Sequence, residues 1–307
     1  METVSIDFGK PCRVYFMGIG GVSMSGLAEI LWKEGFTVSG SDARESAFTE
    51  QLSARGIRVY IGQRRENLSS PVDYVVYTAA IHPDNPEFLE AKRLGIPMLS
   101  RAELLGQLMR CYRESIAVSG THGKTTTTSM LSHILLAAEK DPTISLGGNL
   151  DAIGGNIRVG GNETFLLEAC EYTNSFLSFF PTLEIILNIE ADHLDFFKDL
   201  DDIRRSFRRF VQRMPENGTL VIDNRIRDYR EIVGDFKGRV STVGTEEADY
   251  YPTELRFDER GNAAFTPVEH GKALPRIQLA VPGEHNVYNA LAALAACRLL
   301  GIPAETV

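Results

Sequence analysis

The chain has 307 residues, 43% of them apolar, and a net charge of −9, enough for about two domains with cores of their own. An acidic chain with no dense Lys/Arg cluster excludes a nucleic-acid partner, and no run approaches the ~18 apolar residues of a membrane span. Glu2 and Asp7 stand where a signal peptide needs a basic region, so the sequence reads as cytoplasmic.

From Arg13 to Met109, short apolar runs alternate with helix-period segments. RVYFMG, TVSGSD, IRVYIG and DYVVYT predict strands, and the stretches starting near Met24, Ser46, Pro86 and Arg101 predict helices. That alternation implies a parallel sheet covered by helices. The charged RCYRE before SIAVSG marks a boundary, giving domains of 1–110 and 111–307. A second series follows: a strand at Ser115–Ser119, a helix from about Thr125 to Ala138, then strands at TFLLEA, LEIILNI and GTLVID. A helix from about Asp202 to Gln212 lies between the last two. Residues 238–281 predict a small β excursion. NVYNALAALAACRLLG predicts an amphipathic helix stopped by Gly301 and Pro303. The expected fold class is therefore α/β, a Rossmann-like domain followed by a P-loop-type domain. Cys12, Cys111, Cys170 and Cys297 stand far apart without a CxxC pair, which argues for reduced thiols rather than a zinc site or a disulfide framework.

Two turns carry phosphate-binding chemistry. MGIGGVSMSG sets Gly18, Gly20 and Gly21 at the first strand-to-helix turn, with Asp42 closing the next strand and Ser23 where a third glycine is expected. Dinucleotide binding, another nucleotide-like ligand and a tight turn all remain open from these residues. SGTHGKTTTT, 119–128, is a shortened Walker A pattern, with Val118 at the place of the first glycine and the glycine itself at Gly120. It follows a β-branched strand and opens a helix, where N–H groups and the helix dipole favour a polyphosphate. Lys124 can neutralise the β- and γ-phosphates, and the Thr125 hydroxyl can hold Mg²⁺. The plainer alternative is a glycine turn capping a helix. Glu168 and Glu171 end the strand TFLLEA, where carboxylates favour a metal site; Glu171 is the preferred ligand, with Glu168 second. A lone His193 is by its chemistry more often structural, since Mg²⁺ prefers oxygen. Asn289 can pair an adenine edge through its donor and acceptor, while Asn286 can cap the last helix.

The loop, together with EACEYTNSF (168–176), NIEADHLD (188–195) and PGEHNVYNALAA (282–293), resembles the Mur ligase and folylpolyglutamate synthetase superfamily of ATP-dependent amide ligases, from about Arg13 to the chain end. With GIGGVSMSGLAEIL, it is similar to the branch that joins L-alanine to UDP-N-acetylmuramate. The resemblance implies ATP and Mg²⁺ as cofactors and an acyl-phosphate route, with Lys124, Glu171 and His193 catalytic. One Mg²⁺ would sit on Thr125 and Glu171, a second on His193. ATP would lie on Gly120, Thr121, Gly123, Lys124, Thr125, Thr126, His285, Asn286 and Asn289, with Asn289 at the adenine. The UDP-sugar would lie on Gly18, Gly20, Gly21, Asp42, Thr78 and Ala79; His122 either faces the muramoyl group or is a spacer. Where the family has EADESD, this chain has Cys170, Tyr172 and Asn174 at variable places, lowering the local charge. DDIRRSFRRFVQRM contains no lysine, so no carbamylated lysine is expected. Relatives carry a third domain that binds the amino acid; without it, little turnover is expected. Four rivals remain: a tripeptide-recycling ligase, a folylpolyglutamate synthetase, an NAD-dependent oxidoreductase and a non-catalytic nucleotide-binding module.

Overall fold

The computed structural model describes residues 4–307. Met1–Thr3, where the leader reading and the first expected domain begin, lie outside it. The chain divides into two compact units, one of Met1–Cys111 with Asn156–Val159 and one of Tyr112–Gly155 with Gly160–Val307.

In the first unit the chain runs β1 (Arg13–Met17), α1 (Val22–Lys33), β2 (Thr37–Asp42), α2 (Ala47–Ala54), β3 (Arg58–Ile61), β4 (Tyr74–Tyr77), α3 (Pro86–Arg93), β5 (Met98–Ser100) and α4 (Arg101–Met109). The strands are parallel in the order β3-β2-β1-β4-β5. Val14 through Met17 are buried without alternation, as expected for a parallel strand covered on both faces. Helix starts follow their caps: Ser46 with Thr49 and Ser100 with Glu103 form capping boxes, and the Asn85 side chain caps α3 ahead of Pro86. β5, only three residues long, escapes a periodicity reading. Glu87 is fully buried and satisfied. It accepts from Tyr15 Oη at 2.8 Å, Ser41 Oγ at 2.5 Å, Asn67 Nδ2 at 2.6 Å and the Arg64 amide at 3.3 Å. That network pins β1, β2 and α3 together.

The chain continues with β6 (Glu114–Ser119), α5 (Lys124–Ala137), β7 (Thr143–Leu150), β8 (Gly155–Arg158), β9 (Thr164–Glu168), β10 (Leu183–Ile186), α6 (Leu200–Val211), β11 (Thr219–Asp223), α7 (Tyr229–Val233), β12 (Arg239–Val243), β13 (Tyr250–Phe257), β14 (Asn262–Glu269), β15 (Lys272–Ala273), β16 (Ile277–Pro282) and α8 (His285–Leu299), all in the second unit except residues 156–158 of β8, which fall in the first. Strands β12-β11-β10-β6-β9-β7 are parallel neighbours. β13 extends the sheet from β12, and β14, β15 and β16 add antiparallel pairs. The expected β excursion is thus an extension of the main sheet. β7 is not among the strands expected from sequence.

α8 differs from expectation. Rather than amphipathic, it is buried nearly all round, with Asn286, Val287 and every residue from Asn289 to Cys297 covered. Its five alanines let it pack closely against α5 and the strands β11–β14, and a helix apolar on all sides belongs in a core. Cys297 lies within it, where burial pushes the thiol up to about 12; Cys111 and Cys170 are exposed, and all four cysteines are free. Among the described residues no helix is long and apolar enough to cross a membrane.

Candidate active site

The Thr-rich loop leaves β6 at the middle of the parallel sheet and enters α5, which starts at Lys124. Gly123 is the N-cap residue, in a left-handed conformation and with no side-chain cap, so the first turn of α5 presents its N–H groups to whatever lies above it. Two contacts demand glycine. A Cβ on Gly120 (φ +137°) would meet the Asn188 backbone at 3.1 Å, and one on Gly123 (φ +83°) would meet Asn289 Oδ1 at 2.6 Å. Replacing Gly123 with alanine is expected to lower stability by about 1–3 kcal/mol, more than Gly154→Ala, where φ is +67° and nothing lies within 4 Å. Urea unfolding of the two variants checks this.

The segment after β10 braces the loop. Asn188 accepts from the His122 amide through Oδ1 at 2.7 Å and donates to the His122 carbonyl through Nδ2 at 2.9 Å. The Thr121 amide donates to the Asn188 carbonyl at 3.1 Å, and the Glu190 amide donates to Thr121 Oγ1 at 2.8 Å. Asn188, visible in the sequence only as part of NIEADHLD, is thus the loop's clasp. His122 itself is exposed, with Nε2 3.7 Å from Glu190.

Lys124 Nζ donates to the carbonyls of Gly120 (2.5 Å) and Thr121 (3.1 Å) and to Glu171 Oε2 at 3.0 Å. The carboxylate facing Thr125 is a different one. Thr125 Oγ1 donates to Glu168 at 3.0 and 2.9 Å, and Glu168 also accepts the Gly147 amide at 2.8 Å. Thr125 and Glu171 are expected to share one Mg²⁺, whereas here the Thr125 hydroxyl bonds Glu168, which ends β9 beside the loop, and Glu171 lies three residues past the strand, against Lys124. Glu168 packs directly on the Gly147 backbone, where a Cβ would lie 2.7 Å from its Oε2.

His193 has a left-handed backbone (φ 50°). Its Nε2 is 3.9 Å from Glu171 Oε1 and 3.9 Å from Asp192. Tyr172 stacks on its ring at 4.6 Å and donates to Asp195 Oδ2 at 2.8 Å, a bond that holds the phenol above its ordinary value. Among the described residues no cluster of three or more His, Cys, Asp or Glu forms a metal cage. The donors nevertheless suit Mg²⁺, which takes one or two protein oxygens and completes its shell with phosphate and water; Thr125 Oγ1 and the Glu168 carboxylate converge as such a pair.

Beside the loop opens a cleft of about 680 Å³ lined by Gly123, His122, Asn188, His285, Tyr288, Asn289 and Arg225 among others, within the usual range of ligand pockets. Asn289 is buried and donates to Asn286 Oδ1 at 2.9 Å, while Asn286 donates to the Pro282 carbonyl at 2.7 Å. Asn286 therefore does not cap α8. Thr126 sits half-buried in the first turn of α5.

In the first unit, the amides of Gly18 and Ile19 donate to the Ser41 carbonyl, and the Gly20 amide donates to Asp42 Oδ2 at 2.9 Å. Asp42 thus braces the glycine loop. A Cβ on Gly18 would lie 2.9 Å from Thr78 Cγ2, so Thr78 is brought to that loop, while Ala79 is exposed. Gly21 is the N-cap residue of α1, and Ser23 Oγ accepts from Arg101 at 3.0 Å.

A glycine turn between a central parallel strand and an uncapped helix, braced from the next strand and flanked by a hydroxyl–carboxylate pair, defines an α/β protein of the phosphate-binding-loop class. Residues 13–113 match the catalytic domain of the Mur ligase family and residues 118–297 the Mur ligase middle domain; the chain belongs to that family. It is 56% identical over 303 residues to the UDP-N-acetylmuramate–L-alanine ligase of Agathobacter rectalis, covering 98% of this chain and 66% of that protein. The chain therefore spans about two thirds of the length of the curated relatives it matches. It superposes on the UDP-N-acetylmuramate-alanine ligase of Thermotoga maritima with a TM-score of 0.78 at 32% identity, covering 96% of this chain and 66% of that one. It also superposes on the UDP-N-acetylmuramate:L-alanyl-gamma-D-glutamyl-meso-diaminopimelate ligase from Neisseria meningitides, with a TM-score of 0.84 at 29% identity and cover of 97% and 96%.

Proposed function

We propose that this chain supplies the nucleotide- and sugar-binding parts of an ATP-dependent ligase that joins L-alanine to UDP-N-acetylmuramate in peptidoglycan precursor synthesis. The observation that carries this reading is the Thr125–Glu168 pair beside an uncapped helix N-terminus and Lys124, the donor set a magnesium–triphosphate requires. The 56% identity to an L-alanine ligase favours that amino acid over the tripeptide of the recycling enzyme, which is 29% identical despite its higher TM-score.

Amide formation needs an activated carboxylate. The substrate carboxylate attacks the γ-phosphorus of ATP and ADP leaves; the neutral amine of L-alanine then attacks the acyl carbon, phosphate leaves and a nitrogen proton is released to solvent. The protein's part is positioning and charge neutralisation. The backbone of 120–126 cradles the phosphates and Lys124 offsets their charge. Thr125 and Glu168 would hold Mg²⁺, which would screen the phosphate oxygens. Glu171 orients Lys124, and His193 stands ready as a ligand beside Glu171. The glycines 18, 20 and 21 with Asp42 and Thr78 would receive the uridine diphosphate.

Calorimetric titration of the chain with ATP, with and without Mg²⁺, tests the reading. Saturable binding that Mg²⁺ strengthens in the parent, with that strengthening lost in E168Q and kept in D151N, which neutralises the exposed carboxylate of Asp151, is expected. Binding that ignores Mg²⁺, or no binding, refutes it.

A further inference from the structure

The cleft beside the loop contains a group with no task in the reading above. Arg225 follows β11, and its guanidinium is fixed on two sides. Nε donates to Asp223 Oδ1 at 3.0 Å and Nη2 to Asp223 Oδ2 at 2.6 Å, while Cζ lies 3.1 Å from the centre of the Tyr288 ring. Asp223 is itself buried, at 2% exposure, and its Oδ1 also accepts the Arg225 amide at 2.8 Å. The Arg225 side chain remains 40% exposed, and both it and Tyr288 line the same cleft as Gly123 and Asn289.

A guanidinium held in this way has its charge balanced by a carboxylate and its plane fixed against a ring. It offers a flat, polarisable surface rather than a free cation. One end of the cleft is formed by His122 and Gly123 at the N-terminus of α5, so a nucleotide entering with its phosphates at that helix end has its base directed along the remaining wall. We propose that Arg225, backed by Tyr288 and Asp223, is the stacking platform for the nucleotide base and gives the site its preference for a purine. The inference rests on the reading that the loop holds a nucleoside triphosphate. Flat heteroaromatic bases stack on arginine planes and aromatic rings with useful affinity, and two fused rings cover more of such a surface than one.

The test compares ATP, CTP and inorganic tripolyphosphate, each with Mg²⁺, as ligands of the parent chain, R225A and R225K. Expected is a parent that binds ATP more tightly than CTP. R225A should lose about tenfold or more in ATP affinity, with tripolyphosphate affinity held within about twofold. R225K keeps the charge without the plane and should resemble R225A toward ATP; should R225A fail to fold, R225K gives the answer. Full ATP affinity in R225K, a parallel fall for ATP and tripolyphosphate, or a parent that binds CTP as tightly as ATP overturns the proposal. A parent that binds neither ATP nor tripolyphosphate refutes the phosphate-loop reading beneath it, whereas one that binds both equally refutes only the base platform.

Discussion

Replacing Lys124 with methionine is expected to lower the stability of the chain by about 3–5 kcal/mol, and K124M combined with E171Q should recover most of that loss. The side chains of Lys124 and Glu171 are 12% and 2% exposed, so removing the ammonium strands a carboxylate with almost no water to solvate it. His193 Nε2, at 3.9 Å, is too far to replace a direct bond. Neutralising Glu171 in the double variant removes the stranded charge and with it most of the penalty. Nucleotide binding should behave otherwise. Neither the single nor the double variant has a cation at the loop, so both should fail to bind ATP while only the single is unstable. Urea unfolding and ATP titration on the same samples separate the two effects. A K124M variant that loses less than about 1 kcal/mol would show that Glu171 finds another partner, and recovery of ATP binding in the double variant would remove Lys124 from the phosphate site.

The fold was legible where local signals agree with the packing. Ser46, Asn85 and Ser100 cap helices in the structure, and the glycines of the two phosphate-type turns sit where the chain takes left-handed or crowded conformations. The site was less legible because its pairings depend on strand register. Glu168 lies opposite Val118 in the β6–β9 ladder, which brings its side chain up beside the loop that follows β6. Two carboxylates three residues apart at the end of a strand look alike in sequence, yet only the one still within the ladder reaches Thr125. Asn188 and Gly147 were hidden for the same reason, since bracing a loop from a neighbouring strand leaves no periodicity. Arg225 was silent as well: its partners Asp223 and Tyr288 are 2 and 63 positions away, and only the fold brings Tyr288 to it. α8 was read as amphipathic because alanines look neutral, whereas their small size lets the helix be buried all round.

Replacing Glu184 with leucine is expected to stabilise the chain, and by more at pH 8 than at pH 4.5. Glu184 lies on β10 with no exposure, its cross-strand neighbours are Ala117 and Leu220, and neither of its carboxyl oxygens has a hydrogen-bond partner among the described residues. In sequence, the Leu-Glu-Ile alternation would put this side chain toward water, but a central parallel strand has no wet face. Burial pushes the carboxyl well above its ordinary value of 4.5. The nearby Ser119 hydroxyl lowers it less, being already donated to the Ile185 carbonyl at 3.0 Å. The sign follows from the proton balance. Below about pH 4.5 both folded and unfolded chains carry the proton and the group makes no pH-dependent difference. As the pH rises, the unfolded chain releases its proton while the folded chain retains it, so stability falls by up to about 1.4 kcal/mol per pH unit until the raised folded value is passed. Leucine removes both this pH-dependent loss and the unsatisfied polar atoms, worth about 1–3 kcal/mol. Urea midpoints of parent and E184L at the two pH values decide the matter: an advantage that grows with pH is expected, and one that shrinks, or an E184L less stable than the parent at both, would mean that this carboxyl is solvated or paired within the fold.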